Sequence, residues 1–308
     1  VIKKVLMIAG IGAILSTGAY AKDIEFTVHH GPGGPSDQTT RLIANTIKSK
    51  TNQYNVVNRP GAAGKIAIRQ MLKTKTSIIT ATMAQIYVTN TLMFDKLEYN
   101  PKNSFNLIGV VATMPNVLVC NNERKFFTVS DLEKYGKGKI LFGAAGYGSS
   151  EHLATEVLRQ KLTIKSTVIP YAKGGTTALT DLLAGNIDCM FANYPTVKNH
   201  IGEKITSIMS SHELGLDIPT WYDVYTEDFP FVSPIGLIAS ARTSRTDLRN
   251  IKQDINNTFK NPDFVKGLKD IGLFPVASTS ISSRLKVLRN NDALRIYISR
   301  NNIPLKKD

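Results

Sequence analysis

The sequence predicts an α/β protein of two domains, and three observations carry that prediction. Short apolar runs of strand character alternate with helical patterns along most of the chain. Several of those runs end in a glycine-rich turn that opens the next helix. The length, 308 residues, exceeds what one hydrophobic core usually serves.

Residues 24–29 read as a strand, and Ser36 or Asp37 as the cap of a helix carrying Leu42, Ile43 and Ile47. Tyr54 to Val57 is a short strand. It runs into the glycine turn that ends at Gly64, after which Ile66, Ile68 and Leu72 mark a helix. Ser77 to Thr82, Leu107 to Thr113 and Asn116 to Cys120 are strands, the last two split by Met114-Pro115. The next block repeats the logic. Lys139 to Ala144 is a strand, Ser149 or Ser150 caps a helix with Leu153, Val157 and Leu158, and Ser166 to Pro170 leads into Tyr171-Ala172-Lys173-Gly174-Gly175. A helix follows through Leu179, Leu182 and Leu183, and then strands at Ile187 to Ala192 and Ile205 to Met209. Pro219 and Pro230 mark a looser connector. From Gly236 to Ser240 the chain re-enters a strand, then ends in helices, the clearest with Leu248, Ile251, Ile255 and Phe259 on one face. The alternation points to parallel sheets. The expected layout is discontinuous, with residues 22–121 and 236–308 in one domain and 122–235 in the other. Two chain crossings between them make a hinge.

Lys3 and Lys4, the apolar run Val5 to Leu15 and then Ala19-Tyr20-Ala21 have the order of a secretory signal peptide, residues 1–21, cut after Ala21. No stretch approaches eighteen apolar residues, so a membrane anchor is not expected. Cleavage removes Lys3 and Lys4 and no acid, taking the formal charge from +14 to +12. Lys and Arg are scattered, and no basic run is interleaved with aromatics, so nucleic acid is not the expected partner. The charge reads as a compositional habit, with long-range gathering of anions as the alternative. Cys120 and Cys189 both sit in apolar runs. Export permits a disulfide, but buried free thiols are the expectation.

Two turns stand out for function: Gly31-Pro32-Gly33-Gly34-Pro35-Ser36-Asp37, and Gly143 to His152. Glycine lets the backbone turn sharply and come close to a ligand. A helix start offers unpaired N–H groups and the positive end of a dipole. Two such turns facing one another would grip an anion, most simply a carboxylate. Catalytic alternatives fail on residue identity. The spacing Gly143 to Gly148 fits a P-loop, but Ser149 stands where the phosphate-binding Lys must be. Glu151 replaces the third glycine of a dinucleotide fingerprint, and no G-x-S-x-G elbow is present. Ser150 and His152, two residues apart at a helix start, lie on different sides of the helix and do not make a nucleophile–base pair. His29-His30 is a tempting metal pair, but adjacent strand residues point to opposite faces. No metal site and no cofactor is expected. Asp37 is equally a cap or a contact for a hydroxyl or amino group of a ligand.

A series of motifs in order carries a family resemblance: Pro32 to Asp37; Asn58-Arg59-Pro60-Gly61-Ala62-Ala63-Gly64; Pro115 to Val119; Gly146-Tyr147-Gly148-Ser149-Ser150-Glu151-His152-Leu153; Pro170 to Gly175; Ala178 to Gly185; and Ile218-Pro219-Thr220. The chain resembles the Bug (TctC-like) periplasmic solute receptors of tripartite tricarboxylate transporters over nearly its whole mature length. The resemblance implies a periplasmic-binding-protein (Venus flytrap) fold that closes on a carboxylate in a cleft between two domains. It sets Gly33, Gly34, Ser36 and Asp37 against Gly146, Gly148, Ser149, Ser150 and His152 across that cleft. Thr82 and Gln85, with Asn193 and Tyr194, would shape the distal end. It also implies a membrane permease as partner and a monomeric receptor. Two departures bear on specificity: imidazoles precede the first turn, and Ala192 stands where the family often has an acid. The expectation is an exported, non-catalytic carboxylate receptor serving transport. A carboxylate sensor for a signalling partner, or a secreted enzyme, are the rivals.

Overall fold

The structure, a computed structural model, describes residues 21–305 apart from 75, 136–138, 163, 230 and 232. Residues 1–20 of the expected leader, and Lys306-Lys307, lie outside the described residues. The strands in chain order are β1 (Lys22–Val28), β2 (Asn52–Asn58), β3 (Ser77–Thr82), β4 (Phe105–Met114), β5 (Asn116–Asn121), β6 (Ile140–Ala144), β7 (Ser166–Pro170), β8 (Cys189–Asn193), β9 (Ile205–Ser210), β10 (Ser233–Ser240) and β11 (Phe274–Ser278). The α-helices are α1 (Pro35–Thr46), α2 (Lys65–Lys73), α3 (Asn90–Met93), α4 (Val129–Lys134), α5 (Ser150–Leu162), α6 (Gly175–Leu183), α7 (Tyr194–Val197), α8 (Trp221–Tyr225), α9 (Arg245–Phe259), α10 (Pro262–Ile271) and α11 (Ile281–Arg300).

The strands form two sheets. One has six strands in the order β11-β4-β10-β3-β1-β2, the other five in the order β7-β6-β8-β5-β9. Both sheets are mixed, which corrects the expectation of parallel ones. β1 runs parallel to β2 and β3, but β10 enters antiparallel between β3 and β4. In the second sheet β6 is parallel to β7 and β8, while β5 is antiparallel to β8 and β9. Alternating strands and helices signal crossovers. They do not signal a strand that returns from a distant part of the chain, which is how β10 and β5 arrive. β5 lies in the second sheet, although the expected division kept residues through 121 with the first, and β10 begins at Ser233 rather than 236.

Each sheet carries helices on its apolar faces. Phe26, Ile78 and Leu237 of the first sheet pack with Ile43 of α1, Ile255 of α9 and Phe264 of α10. Each such burial stabilises by about 1.5–3 kcal/mol. The second sheet buries Leu118 and Phe142 under Leu153 and Leu158 of α5. The C-terminal helix spans both halves: Val287 joins the core around Ile79 and Val110, while Leu294 and Ile298 join the core around Phe142 and Trp221. The free-thiol expectation is overturned, because Cys120 and Cys189 form a disulfide. They are 69 residues apart in sequence, and the antiparallel register of β5 on β8 sets them directly opposite one another.

Candidate functional site

The site lies where the two sheets meet. A cavity of about 50 Å³ is floored by Met114 and Ser233, the two ends of the chain crossings between sheets. Its walls are loops and helix starts from both halves. From the six-stranded half come His30, Gly31, Gly34, Pro35 and Ser36, with Thr82 and Gln85 beyond β3. From the five-stranded half come Ser149, Ser150 and Glu151, then Lys173 to Thr176, then Asn193 and Thr196.

Three helices of eight or more residues therefore begin at this one cavity. α1 starts after Gly34, which makes no side-chain cap hydrogen bond, and Pro35 takes the first helical position. This corrects the expected cap at Ser36 or Asp37, since the fixed φ of Pro35 already suits a helix start. α6 starts after Gly174, again with no side-chain cap hydrogen bond. α5 starts at Ser150, and Ser149 Oγ accepts from the His152 N–H at 3.1 Å. Helix starts carry a partial positive charge and donors aimed out of the end. Their convergence makes the cavity attractive to an anion, and Lys173 is among the residues that border it.

Residues 39–291 match the family model of the tripartite tricarboxylate transporter family receptor, TctC. The chain belongs to that family. Protein BugT of Bordetella pertussis is 28% identical over 290 residues, covering 90% of this chain and 88% of that protein. Among solved structures, the periplasmic binding protein BugD superposes with a TM-score of 0.82 at 21% identity, covering 93% of this chain and 99% of that one. R. palustris Rpa4515 with adipate gives a TM-score of 0.80 at 23% identity, covering 91% and 95%. The fold of this TctC-family chain is thus that of the periplasmic binding proteins.

Of the residues expected at the site, Gly34, Ser36, Thr82, Gln85, Ser149, Ser150 and Asn193 border the cavity. Gly146 borders a second chamber beside it. Gly33, Asp37, Gly148, His152 and Tyr194 border neither. Asp37 is turned back into its own loop, where Oδ2 accepts from the Gly33 N–H at 2.9 Å and Arg41 Nε at 3.0 Å. Its Oδ1 accepts from Asn58 Nδ2 at 2.9 Å. Burial alone would raise its pKa, but these bonds outweigh burial and hold it below the ordinary aspartate value. Asp37 braces the first glycine turn. His152 is buried against Tyr147, with ring centroids 4.5 Å apart, and burial followed by the nearby Arg159 charge brings its pKa down to about 4. Tyr194 lies along the seam, near Gly272 of the other half.

His29 and His30 also depart from expectation. Their rings lie 3.9 Å apart rather than on opposite faces, because β1 ends at Val28 and strand alternation lapses there. His29 Nδ1 is 3.1 Å from the Thr80 carbonyl oxygen and so carries the proton, leaving Nε2 to accept from Thr82 Oγ1 at 3.3 Å. Burial lowers the His29 pKa to about 4, and burial with the neighbouring His29 lowers His30 well below the usual value. Both rings are neutral at pH 7. Among the described residues no group of three His, Cys, Asp or Glu side chains is placed to hold a metal ion.

The sequence reading missed two contributors. The turn Tyr171 to Gly175 reads in the sequence only as a glycine turn, yet its Lys173, Gly174 and Gly175, with Thr176, wall the site. Glu151 is the cavity's only buried carboxylate among the described residues, at 4% exposure. Its Oε1 accepts from Asn193 Nδ2 at 2.7 Å and its Oε2 from Ser150 Oγ at 2.8 Å. Ala192, the position the family resemblance flagged, is 1% exposed inside the core and borders neither cavity. Burial raises the Glu151 pKa above its ordinary value. The folded state therefore holds this proton more tightly than the unfolded chain. Stability from that preference is complete below the ordinary glutamate range, about 4.3, and is lost as pH rises through the raised value. Glu151→Gln is expected to gain stability relative to the parent as pH climbs from about 4.3 toward neutral. Melting temperatures of both proteins across that range check it; parallel curves would contradict it.

Proposed function

We propose that the protein is an exported, non-catalytic solute receptor that captures a small carboxylate and presents it to a membrane permease of the tripartite tricarboxylate type. The observation that carries this reading is the convergence of the α1, α5 and α6 starts on one cavity. A partly buried helix start favours an anion by up to about 2 kcal/mol. Three together reach roughly 6 kcal/mol, enough for binding between millimolar and micromolar before the rest of the solute contributes.

The walls come from both sheets, so the solute contacts both halves only when they are closed on one another. A ligand shifts such an equilibrium by its differential contacts. The two lobes, one on each sheet, hinge about the crossings at Met114 to Asn116 and at Ser233. Asn116 is the pivot: its N–H donates to Ser211 Oγ at 2.8 Å and its side-chain amide to the Phe231 carbonyl at 3.3 Å, tying both crossings together. A permease that reads the closed surface then distinguishes loaded from empty receptor. Family membership and the adipate-bound neighbour support a carboxylate as the cargo. Export to the periplasm follows from the expected leader and agrees with the periplasmic neighbours.

Isothermal titration of residues 22–308 against a panel of small carboxylates and their methyl esters tests the reading. At least one acid is expected to bind while its ester does not. Esters that bind as tightly as acids would contradict it.

A further inference from the structure

Beside the polar cavity lies a second chamber of about 550 Å³, within the range of pockets that enclose small molecules. The two adjoin, since His30, Gln85 and Ala145 border both. The chamber is bordered on one side by the turn Gly61 to Gly64 and by Met93 and Phe94, and on the other by Gly146, Tyr147 and Ala172, with Ala62 and Ala172 exposed at its mouth. It too lies between the halves, so what fills it is gripped on closure.

The chemistry of its wall differs from that of the polar cavity. No Lys, Arg, Asp or Glu borders it among the described residues. Its polar side chains are Gln85, the Tyr147 phenol and two imidazoles that are neutral at pH 7, so it carries no formal charge. The nearby Lys65 ammonium sits 3.4 Å from the centre of the Phe94 ring and does not border the chamber. An anion seated against this wall would lose part of its water and gain no charged partner, which is costly. An apolar group would gain the hydrophobic term.

We infer that the solute is an apolar monocarboxylate, its carboxylate at the three helix starts and its uncharged hydrocarbon body in this second chamber. The inference rests on the carboxylate-receptor reading and narrows it to one class. A second carboxylate on the distal end is disfavoured by the same wall that welcomes an alkyl or aryl group.

The test is titration calorimetry of residues 22–308 with straight-chain monocarboxylates from acetate to octanoate, their amides, and the α,ω-dicarboxylates of matched length. Affinity is expected to rise about fourfold per added methylene until the chamber is full. A dicarboxylate is expected to bind at least about tenfold more weakly than the monocarboxylate of equal length, the cost of stranding one charge. Ala172 is exposed at the chamber's edge, so Ala172→Trp narrows the space with little risk to folding. It should flatten the rise with chain length and leave acetate affinity unchanged. Dicarboxylates that match or exceed the monocarboxylates, with acids still preferred to amides, overturn this inference and leave the receptor reading standing. Amides that bind as tightly as acids, or no binding across the panel, overturn both.

Discussion

Gly148→Val is expected to weaken solute binding by at least about tenfold and to lower stability by about 1–2 kcal/mol. The backbone at Gly148 has φ of +76°, in the left-handed region, where a residue with a Cβ pays about 1–2 kcal/mol. The Cβ itself would sit 2.2 Å from Met93 Sδ and 3.4 Å from Thr89 Oγ1. Met93 and Thr89 precede β4 in the six-stranded half, while Gly148 precedes α5 in the other. The new side chain therefore wedges between the halves that the proposed closure brings together. Overpacking of this kind costs about 1–3 kcal/mol, and in the closed form that cost falls directly on affinity. This mechanism differs from backbone approach to the ligand, since Gly148 borders neither cavity. Gly148→Ala carries the same Cβ with less bulk and should show a smaller loss. Titration and melting curves on all three proteins read the effect, and unchanged affinity in the valine variant would remove the closure mechanism.

Cys120→Ala with Cys189→Ala is expected to lower stability by about 2–5 kcal/mol. The bridge closes a loop of 69 residues, so most of the effect comes from freeing the unfolded chain. For a cooperative unit of 150–250 residues each kcal/mol moves the melting temperature by about 2–4 °C, giving a fall of roughly 4–20 °C. Both cysteines are completely buried in the core of the five-stranded half, so the cavities left by the two sulfurs add to the loss. Solute affinity is expected to persist in protein that remains folded, because neither residue borders the site. An unchanged melting temperature would mean that the two sulfurs are not bridged.

Much of this structure is legible in the sequence where local signals decide. β3 and β7 occupy the residues the apolar runs indicate, and the helix through Leu248, Ile251, Ile255 and Phe259 is α9. The glycine turns were legible because glycine ahead of a helix has few other uses. The strand direction was not. It depends on β10 returning from residue 233 to lie between β3 and β4, a pairing no local pattern encodes. The disulfide was hidden for the same reason, since only the register of β5 on β8 brings Cys120 to Cys189. At the site, sequence found the first glycine turn and the Ser149-Ser150 helix start. It left Asp37 open between cap and ligand contact and expected His152 and Tyr194 at the cleft, whereas none of the three borders either cavity. Whether a polar side chain at a helix start faces outward or folds back depends on tertiary partners, here Arg41 and Asn58 for Asp37.

The central claim is that a carboxylate sits at three converging helix starts, and amide NMR of residues 22–308 tests it most directly. Acetate, the smallest probe of that group, is added in one titration and acetamide in a matched one. The account predicts that acetate moves the backbone amides of Ser36, Ser150 and Thr176 most, and that acetamide leaves them in place. Equal shifts from both compounds, or acetate shifts confined to other surfaces, would contradict it.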